Sequence, residues 1–165
     1  MVVPLQLSFV AITVCTVIAE LYDATPASAF TITTPRLINV SVFKNIGVGE
    51  VLTAGFVIGG TTTKQVLIRA VGPTFSAPPF SFFGVMADPK LDLFSGQTVI
   101  NSNDNWGGGT AFTTAFTRVG ALGLASATSK DAVLLVTLAP GSYTAQVSGV
   151  ADSSGLTLVE IYEVP

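Results

Sequence analysis

The sequence predicts an all-β fold, a jelly-roll-like sandwich of two antiparallel sheets with about eight strands, one short helix and an N-terminal extension strand. Three observations support this prediction. Residues that favour strands, such as Val, Ile and Thr, are frequent, together with eleven Phe. Sixteen Gly and nine Pro supply tight turns. Short apolar runs alternate with these turn residues along most of the chain, which favours hairpins and Greek-key connections over βαβ crossovers.

Length and composition set the class of protein. The chain has 165 residues, which fits one domain with a core large enough to stand alone. Charged residues make up 10%, hydrophobic residues 49%, and the net charge is −3, which is typical of neither a disordered chain nor a nucleic-acid-binding protein. The chain has no His and a single Cys, Cys15, which excludes His-based triads, His- or Cys-rich zinc sites and an internal disulfide. We expect Cys15 to be a small buried apolar residue.

Residues 2–19 form a nearly uncharged apolar run. A secretory signal is one interpretation, since the Ala-Ser-Ala triplet at residues 27–29 has the small residues of a cleavage site. However, no Lys or Arg precedes the run, and Glu20 and Asp23 stand between it and the triplet. We therefore expect the segment to be retained in the mature protein, while the sequence leaves open whether it also directs secretion.

The same run is long enough for a transmembrane helix of about 18 residues, and a membrane-anchored surface domain is one alternative. Its β-branched residues between positions 12 and 18 instead favour an extended strand with two apolar faces. Such a strand must be covered, because an exposed edge of this kind promotes aggregation. We predict that residues 5–19 pair with strands of another copy, and the predicted subunit-interface residues are Leu5, Leu7, Phe9, Val10, Ile12, Val14, Val17 and Ile18.

The chain is predicted to divide into an N-terminal donor strand at residues 1–22, a linker rich in Ala, Thr and Pro at 23–35, and a sandwich domain at 36–165. Turn residues such as Gly72-Pro73 and Pro140-Gly141 separate the strands of the sandwich. The predicted strands are 37–43, 51–58, 65–71, 90–94, 98–102, 132–138, 142–147 and 156–162.

Two longer stretches, residues 74–87 and 103–130, interrupt this rhythm. In the second stretch Phe112, Phe116 and Val119 recur at helical spacing, which predicts one short amphipathic helix over residues 110–119.

The body also contains a series of distinctive motifs, LINVSVF, VLTAGFVIGG, KQVLIRAVGPT, DPKLDLF, NDNWGG and SKDAVLLVTLAPGSYTAQVSGV. Over residues 36–164 they resemble a domain that recurs in large secreted and surface proteins of environmental bacteria. That family carries no assigned activity, so the resemblance implies a fold and an extracellular or cell-surface location rather than a reaction. The N-terminal segment lies outside this resemblance and is similar to the donor strands of bacterial surface fibres.

The run Asn103-Asp104-Asn105 ahead of three glycines resembles the acidic-amide loops of calcium-binding β-sandwich proteins. Calcium takes about six to eight oxygen ligands, so further oxygens would have to come from Asp88, Asp92, Asp131 or backbone carbonyls. The favoured interpretation is that these side chains cap local backbone in a turn while Trp106 packs at the sandwich edge. We therefore predict no cofactor.

Other polar residues also favour structural roles. Arg69 interrupts an apolar strand and must reach solvent or a carboxylate such as Asp88, Asp92 or Glu160, which predicts an ion pair. Ser129-Lys130-Asp131 has a possible nucleophile and base but neither an oxyanion motif nor a third partner, so no catalytic residue is assigned and the protein is predicted not to be an enzyme.

Two kinds of sequence feature could involve sugars, a possible sugar-binding surface and candidate glycosylation sites. The Phe residues of stretch 74–87, at positions 75, 80, 82 and 83, offer a possible sugar-binding platform, although clustered Phe more often forms core or subunit interface. Asn39-Val40-Ser41 fits the N-glycosylation pattern, and the Thr-rich tracts 31–34 and 61–63 are candidate O-glycosylation sites.

The favoured functional hypothesis is a structural subunit of an extracellular bacterial filament, which polymerises head to tail by donor-strand β-augmentation of the neighbouring subunit. Its expected partners are other copies of itself, with glycans possible and no nucleic acid or nucleotide. The alternative is a carbohydrate-binding or adhesive β-sandwich module of a cell-surface protein.

Overall fold

The structure is a computed structural model that describes residues 7–10, 19–21, 25–29, 31, 34 and 37–165. The described residues form ten strands and one α-helix. The elements are β1 (Leu7–Val10), β2 (Glu20–Leu21), β3 (Asn39–Ile46), β4 (Leu52–Ile58), β5 (Lys64–Val71), β6 (Pro89–Ser95), β7 (Thr98–Asn103), α1 (Thr110–Val119), β8 (Ala132–Leu138), β9 (Gly141–Gly149) and β10 (Gly155–Val164). Short 3₁₀ turns lie at Ala27–Ala29, Pro73–Ser76 and Val150–Asp152.

The strands form two sheets, and every pair of neighbouring strands is antiparallel. Sheet I has the order β4-β9-β6-β7 and is extended beyond β4 by β1 and then β2; sheet II has the order β3-β10-β5-β8. If the eight body strands are renumbered so that β3 is strand 1 and β10 is strand 8, sheet I has the order 2-7-4-5 and sheet II the order 1-8-3-6. This is the strand order of a jelly roll. The predicted fold class is therefore confirmed.

All eight predicted body strands and the predicted helix are present. The largest difference is at β3, which the sequence places at residues 37–43 and which ends at Ile46 in the structure. The strand continues past the polar residues Lys44 and Asn45 because the side chain of Ile46 is fully buried in the core. Leu37 and Ile38 are exposed and precede the strand.

The core lies between the two sheets. Strand β4 shows the alternation of a sheet with one solvated face, with Leu52, Ala54, Phe56 and Ile58 buried and the residues between them only half-buried. The outer face of sheet I carries polar rows, such as the directly opposed residues Thr53, Gln146, Asp92 and Ser102. This face is open to water.

Sheet II is covered on both sides. Its central strand β5 is buried from Val66 to Val71, so both of its faces contact protein. Residues 104–131, which we call the cover segment and which include α1, lie over the outer face. There Leu67 and Val133 pack with Trp106 and Phe116 in a second apolar cluster.

The helix of the cover segment is short and has defined ends. Ala115 and Phe116 face the protein, while Arg118 in the last turn complements the helix dipole. The helix ends at Gly120, whose left-handed backbone (φ 69°) allows its N–H to reach the carbonyls of Phe116 and Thr117.

A close backbone approach fixes the beginning of β10. The segment from Gly84 to Met86 lies beside β10, with hydrogen bonds from Leu156 N to Gly84 O (2.8 Å) and from Met86 N to Leu156 O (2.9 Å). Gly155 has a φ of +137°, and a Cβ placed there would lie 2.5 Å from Gly84 O and 2.6 Å from Val85 C. Only glycine fits this position.

We expect Gly155→Ala to lower the free energy of unfolding by about 2–4 kcal/mol, because both the backbone strain and the overlap must be relieved. Urea denaturation measures this loss. The matched control is Gly123→Ala, since a Cβ at Gly123 would meet no atom within 4 Å. Equal losses in the two variants would show that the approach at Gly155 does not constrain the fold.

Candidate functional site

The N-terminal strand lies at the β4 edge of sheet I. The register pairs Ser8 with Gly55, Phe9 with Ala54 and Val10 with Thr53. On its other side β1 pairs with β2, with Leu7 opposite Leu21 and Ser8 opposite Glu20. Among the described strands, β2 has no partner other than β1, so the two strands form one unit that is attached to the body through β4.

The predicted interface residues divide into two groups. Leu7, Phe9 and Val10 belong to β1, which is extended as expected. The other five, Leu5, Ile12, Val14, Val17 and Ile18, lie outside the described residues, as does Cys15. In the single chain, β1 lies against β4 of the same chain and not against another copy.

Without β1 and β2, the body consists of two four-stranded sheets, and its three edges other than β4 each carry a feature that opposes pairing with a further strand. In β3, Lys44 shares the inward-facing side with Val42 and Ile46, and an inward charge at an edge disfavours a new strand partner. The β6–β7 ladder shifts register between Leu93 and Phe94, which marks a β-bulge at the β7 edge. In β8, the N–H of Val133 donates to the side-chain oxygen of Asn103 at 2.9 Å.

The β4 edge has none of these features in the described residues. Its sequence from Leu52 to Ile58 contains no charged residue and no proline, and its pairing with β9 runs without a register shift. Such an edge is a template for strand addition. The structure places β1 on this edge, so the β4 edge is the candidate functional site.

The buried Arg69 finds the carboxylate that the sequence requires. Its side chain is fully buried and donates to Glu160 Oε2 through Nε (2.9 Å) and Nη2. The guanidinium also donates through Nη1 to the carbonyl of Leu122 in the cover segment and lies 4.8 Å from the ring centre of Phe116. The predicted ion pair is present, and of the three proposed carboxylates Glu160 is the partner.

Tyr162 completes this cluster by donating a hydrogen bond to Glu160 Oε1 at 2.6 Å. Burial and the contact with Glu160 raise the pKa of Tyr162 well above its ordinary value, so the phenol stays protonated as a donor. The cluster therefore has complementary charges and directed hydrogen bonds, and it joins sheet II to the cover segment. No group in it is left free to act as a nucleophile or base.

Asp131, which follows Ser129 and Lys130 in the sequence, is a second buried anchor. Its carboxylate is fully buried and accepts four hydrogen bonds, from Gly72 N (2.9 Å), Thr74 N (3.3 Å), Thr74 Oγ1 (2.6 Å) and Ser129 Oγ (2.6 Å). The Ser129–Asp131 contact exists, but the carboxylate is occupied by its other donors. The arrangement fixes the cover segment to the turn after β5.

Trp106 shares this network. Its backbone N–H donates to Asp131 O at 2.9 Å, and its indole N–H donates to Ser126 O and Ser129 Oγ, each at 3.0 Å. The side chain is only 6% exposed and packs at 5.9 Å from the ring of Phe116. The sequence predicted Trp106 at the sandwich edge, whereas its side chain belongs to the buried cluster between the cover segment and sheet II.

The calcium candidates are not assembled as a site. Asn103 Oδ1 accepts from Val133 N, and Asn103 Nδ2 donates to Asn105 O at 3.0 Å, so this side chain bridges backbone groups. Asp131 lies in the buried network above, while Asp88 and Asp92 pair with Lys130 and Lys90. In the part of the chain that the structure describes, no group of three or more His, Cys, Asp or Glu side chains is placed to hold a metal ion.

The phenylalanines of residues 74–87 form a surface patch around one buried member. Phe75 is 5% exposed and contacts Phe43, Phe80 and Phe82 at ring distances of 5.7, 5.0 and 5.8 Å. Phe43 comes from β3, and no sequence pattern indicated that it joins the others. Phe83 is 95% exposed. Asn39 and Ser41 of the glycosylation triplet are exposed on the same strand, β3.

Comparison with protein-family models, with curated proteins and with solved structures gives no match for this chain. Within the described residues, no helix has both the length and the apolar character needed to cross a membrane. Residues 7–10, which the alternative of a membrane anchor would make helical, form strand β1.

We expect Arg69→Met to lower the free energy of unfolding by about 3–5 kcal/mol, because Glu160 would remain buried without its cation. The loss of the Leu122 contact should also shift the emission of Trp106 to longer wavelength. Urea denaturation followed by tryptophan fluorescence measures both effects.

The matched control is Lys64→Met, which removes the cation of the half-exposed Lys64–Glu163 pair and should cost less than about 1 kcal/mol. A loss in Arg69→Met no larger than in this control would contradict the anchoring role. The double variant Arg69→Met with Glu160→Leu should recover part of the stability, since no unpaired charge remains.

Lowering the pH should weaken the contribution of Asp92 to the free energy of unfolding. Burial by itself raises the pKa of this carboxyl, but hydrogen bonds from Lys90 and Ser102 and the charge of Lys90 hold it below its ordinary value. The stabilisation is therefore present above the unfolded pKa of about 3.9 and is lost as the pH falls through the folded pKa. The stability difference between wild type and Asp92→Asn should narrow between pH 6 and pH 2 in urea denaturation. A difference independent of pH would contradict this assignment.

Proposed function

We propose that this protein is a structural subunit of an extracellular bacterial filament, in which the β1 strand of one copy completes sheet I of the next at its β4 edge. The observation that carries the proposal is the β4 edge itself. It is regular and uncharged, and the strand that covers it in the single chain comes from an N-terminal unit with no other described strand partner.

The pairing of β1 with β4 makes exchange between copies energetically accessible. A strand from a second copy would form the same backbone hydrogen bonds and occupy the same positions as the strand of the same chain. Exchange of an identical element between protomers is therefore a low-cost route to assembly. Residues 22–38 lie between the N-terminal unit and β3, and a connection of this length reaches up to about 60 Å when extended.

The contact is heterologous, because a donor strand on one copy meets an acceptor edge on the next. Such contacts generate open chains when the rotation between copies does not close a ring. A filament is therefore the expected assembly. The extracellular or cell-surface location is part of the proposal and is supported by the resemblance of residues 36–164 to a domain of secreted bacterial proteins.

The exposed phenylalanines favour a second candidate function. Phe80 and Phe82 lie on the surface within one aromatic patch, and Phe83 is exposed next to Phe82 in the sequence. An adhesive or carbohydrate-binding module would use such a surface. This alternative predicts a monomer whose β1 stays on its own chain. The two functions therefore differ in which chain supplies the strand at β4.

Disulfide trapping tests the proposal directly. Val10 and Thr53 are opposite one another in the described register, so cysteines at both positions are placed to form a cross-strand disulfide. We expect Val10→Cys with Thr53→Cys, in a Cys15→Ser background, to give a ladder of covalent oligomers on non-reducing gels and fibres in negative-stain microscopy.

The matched control is Thr53→Cys with Gln146→Cys, which joins β4 to β9 within one body and should give monomers only. A single intrachain-linked species for both pairs, together with the absence of fibres at high concentration, would overturn the filament and favour the adhesive module.

A further inference from the structure

On the inner face of sheet I, one row begins at the β4 edge with two small residues. Ala54 of β4 lies opposite Ala145 of β9, which lies opposite Leu93 of β6. Directly opposed residues share a face with Cβ atoms about 4.5–5.5 Å apart. All three residues are essentially inaccessible to water and belong to the core between the sheets. At the β4 edge, this row therefore presents only two methyl groups.

The rows on either side are large. One is formed by Leu52, Val147 and Leu91. The other contains Phe56 and Tyr143, whose rings stack at 5.7 Å. Along the inner face of β4, the side chains at positions 52, 54 and 56 are therefore large, small and large. Protein interiors are close-packed, so the small position requires volume from a neighbouring element.

The described register places a phenylalanine position at this point. Phe9 of β1 is opposite Ala54, and it continues the row that runs through Ala145 to Leu93. A shift of β1 by two residues would instead set position 9 opposite Phe56 or Leu52, where the row is already large. A shift by one residue would exchange the two faces of the strand.

We propose that Ala54 and Ala145 fix the register of the strand at the β4 edge by accepting one phenylalanine-sized side chain, so that the edge selects an extended apolar segment with Phe9 at this position. The rule applies to the strand of the same chain and, resting on the proposed function, to the strand of a neighbouring copy. Backbone pairing supplies affinity at such an edge, and side-chain size supplies selectivity.

A size exchange tests the rule in the full-length chain. Ala54→Leu fills the space beside the two alanines at the β4 edge. It should reduce disulfide formation between Val10→Cys and Thr53→Cys by about tenfold. Adding Phe9→Ala to Ala54→Leu should restore cross-linking to within about twofold of the parent, because the total volume of the row is then nearly conserved. Phe9→Ala alone should reduce the yield, and Phe9→Leu should reduce it less.

The Thr53→Cys with Gln146→Cys pair, measured in the Ala54→Leu background, reports whether sheet I is still folded. Unchanged cross-linking in Ala54→Leu, or a size-exchanged variant no better than Ala54→Leu alone, overturns the register rule. If Ala54→Leu loses the control cross-link, the single variants at Phe9 decide the question, and equal yields for Phe9→Ala and the parent overturn the rule. The total yield of the disulfide between positions 10 and 53 tests the register rule. The ratio of interchain to intrachain disulfides tests the filament. The two proposals can therefore fail separately.

Discussion

Burial of β5 on both faces is the constraint on which the rest of the architecture depends. A sheet that faced water on its outer side would need only one apolar face, as sheet I shows. Sheet II has apolar residues on both, so its outer face must be covered, and the cover segment performs this role. The chain therefore leaves the jelly-roll path between β7 and β8 to build a third layer.

The cover segment is held by polar as well as apolar contacts. Arg69 and Asp131 are both fully buried, and burial of a charge costs free energy unless partners replace the lost water. The carbonyl of Leu122 is one partner of Arg69, and Gly72 N and Thr74 Oγ1 in the turn after β5 are partners of Asp131. Displacing the cover segment would break these contacts, so its attachment is directional and specific.

Most of the fold was predictable because it follows from local patterns. Period-two alternation in β4 and the helical spacing of Phe112 and Phe116 depend on neighbours in sequence, and the predicted strands and helix match the structure closely. The Arg69–Glu160 contact joins residues 91 positions apart, so the sequence could only narrow the choice to three carboxylates. The burial of Asp131 gave no sequence signal, because three of its four donor groups belong to Gly72 and Thr74, which lie 59 and 57 positions away in the sequence.

Less of the candidate site was predictable. The β-branched apolar residues indicated an extended N-terminal segment, and residues 7–10 form strand β1 beside β4. Its partner strand could not be named from the sequence, since β4 is one of several apolar strands of similar length. The protecting features of the other edges, such as the bulge in β7 opposite Leu93 and Phe94, depend on pairing geometry and become visible only in the structure.

In the filament that we propose, the difference between the β4 edge and the other three would have a consequence for growth. Each subunit would contribute one donor and one acceptor, so a fibre would have two chemically distinct ends, one with an open β4 edge and the other with an undocked N-terminal unit. Addition at the two ends would then proceed at different rates, so that the fibre lengthens with a direction. The inward Lys44, the β7 bulge and the Asn103 contact at β8 would keep it from branching.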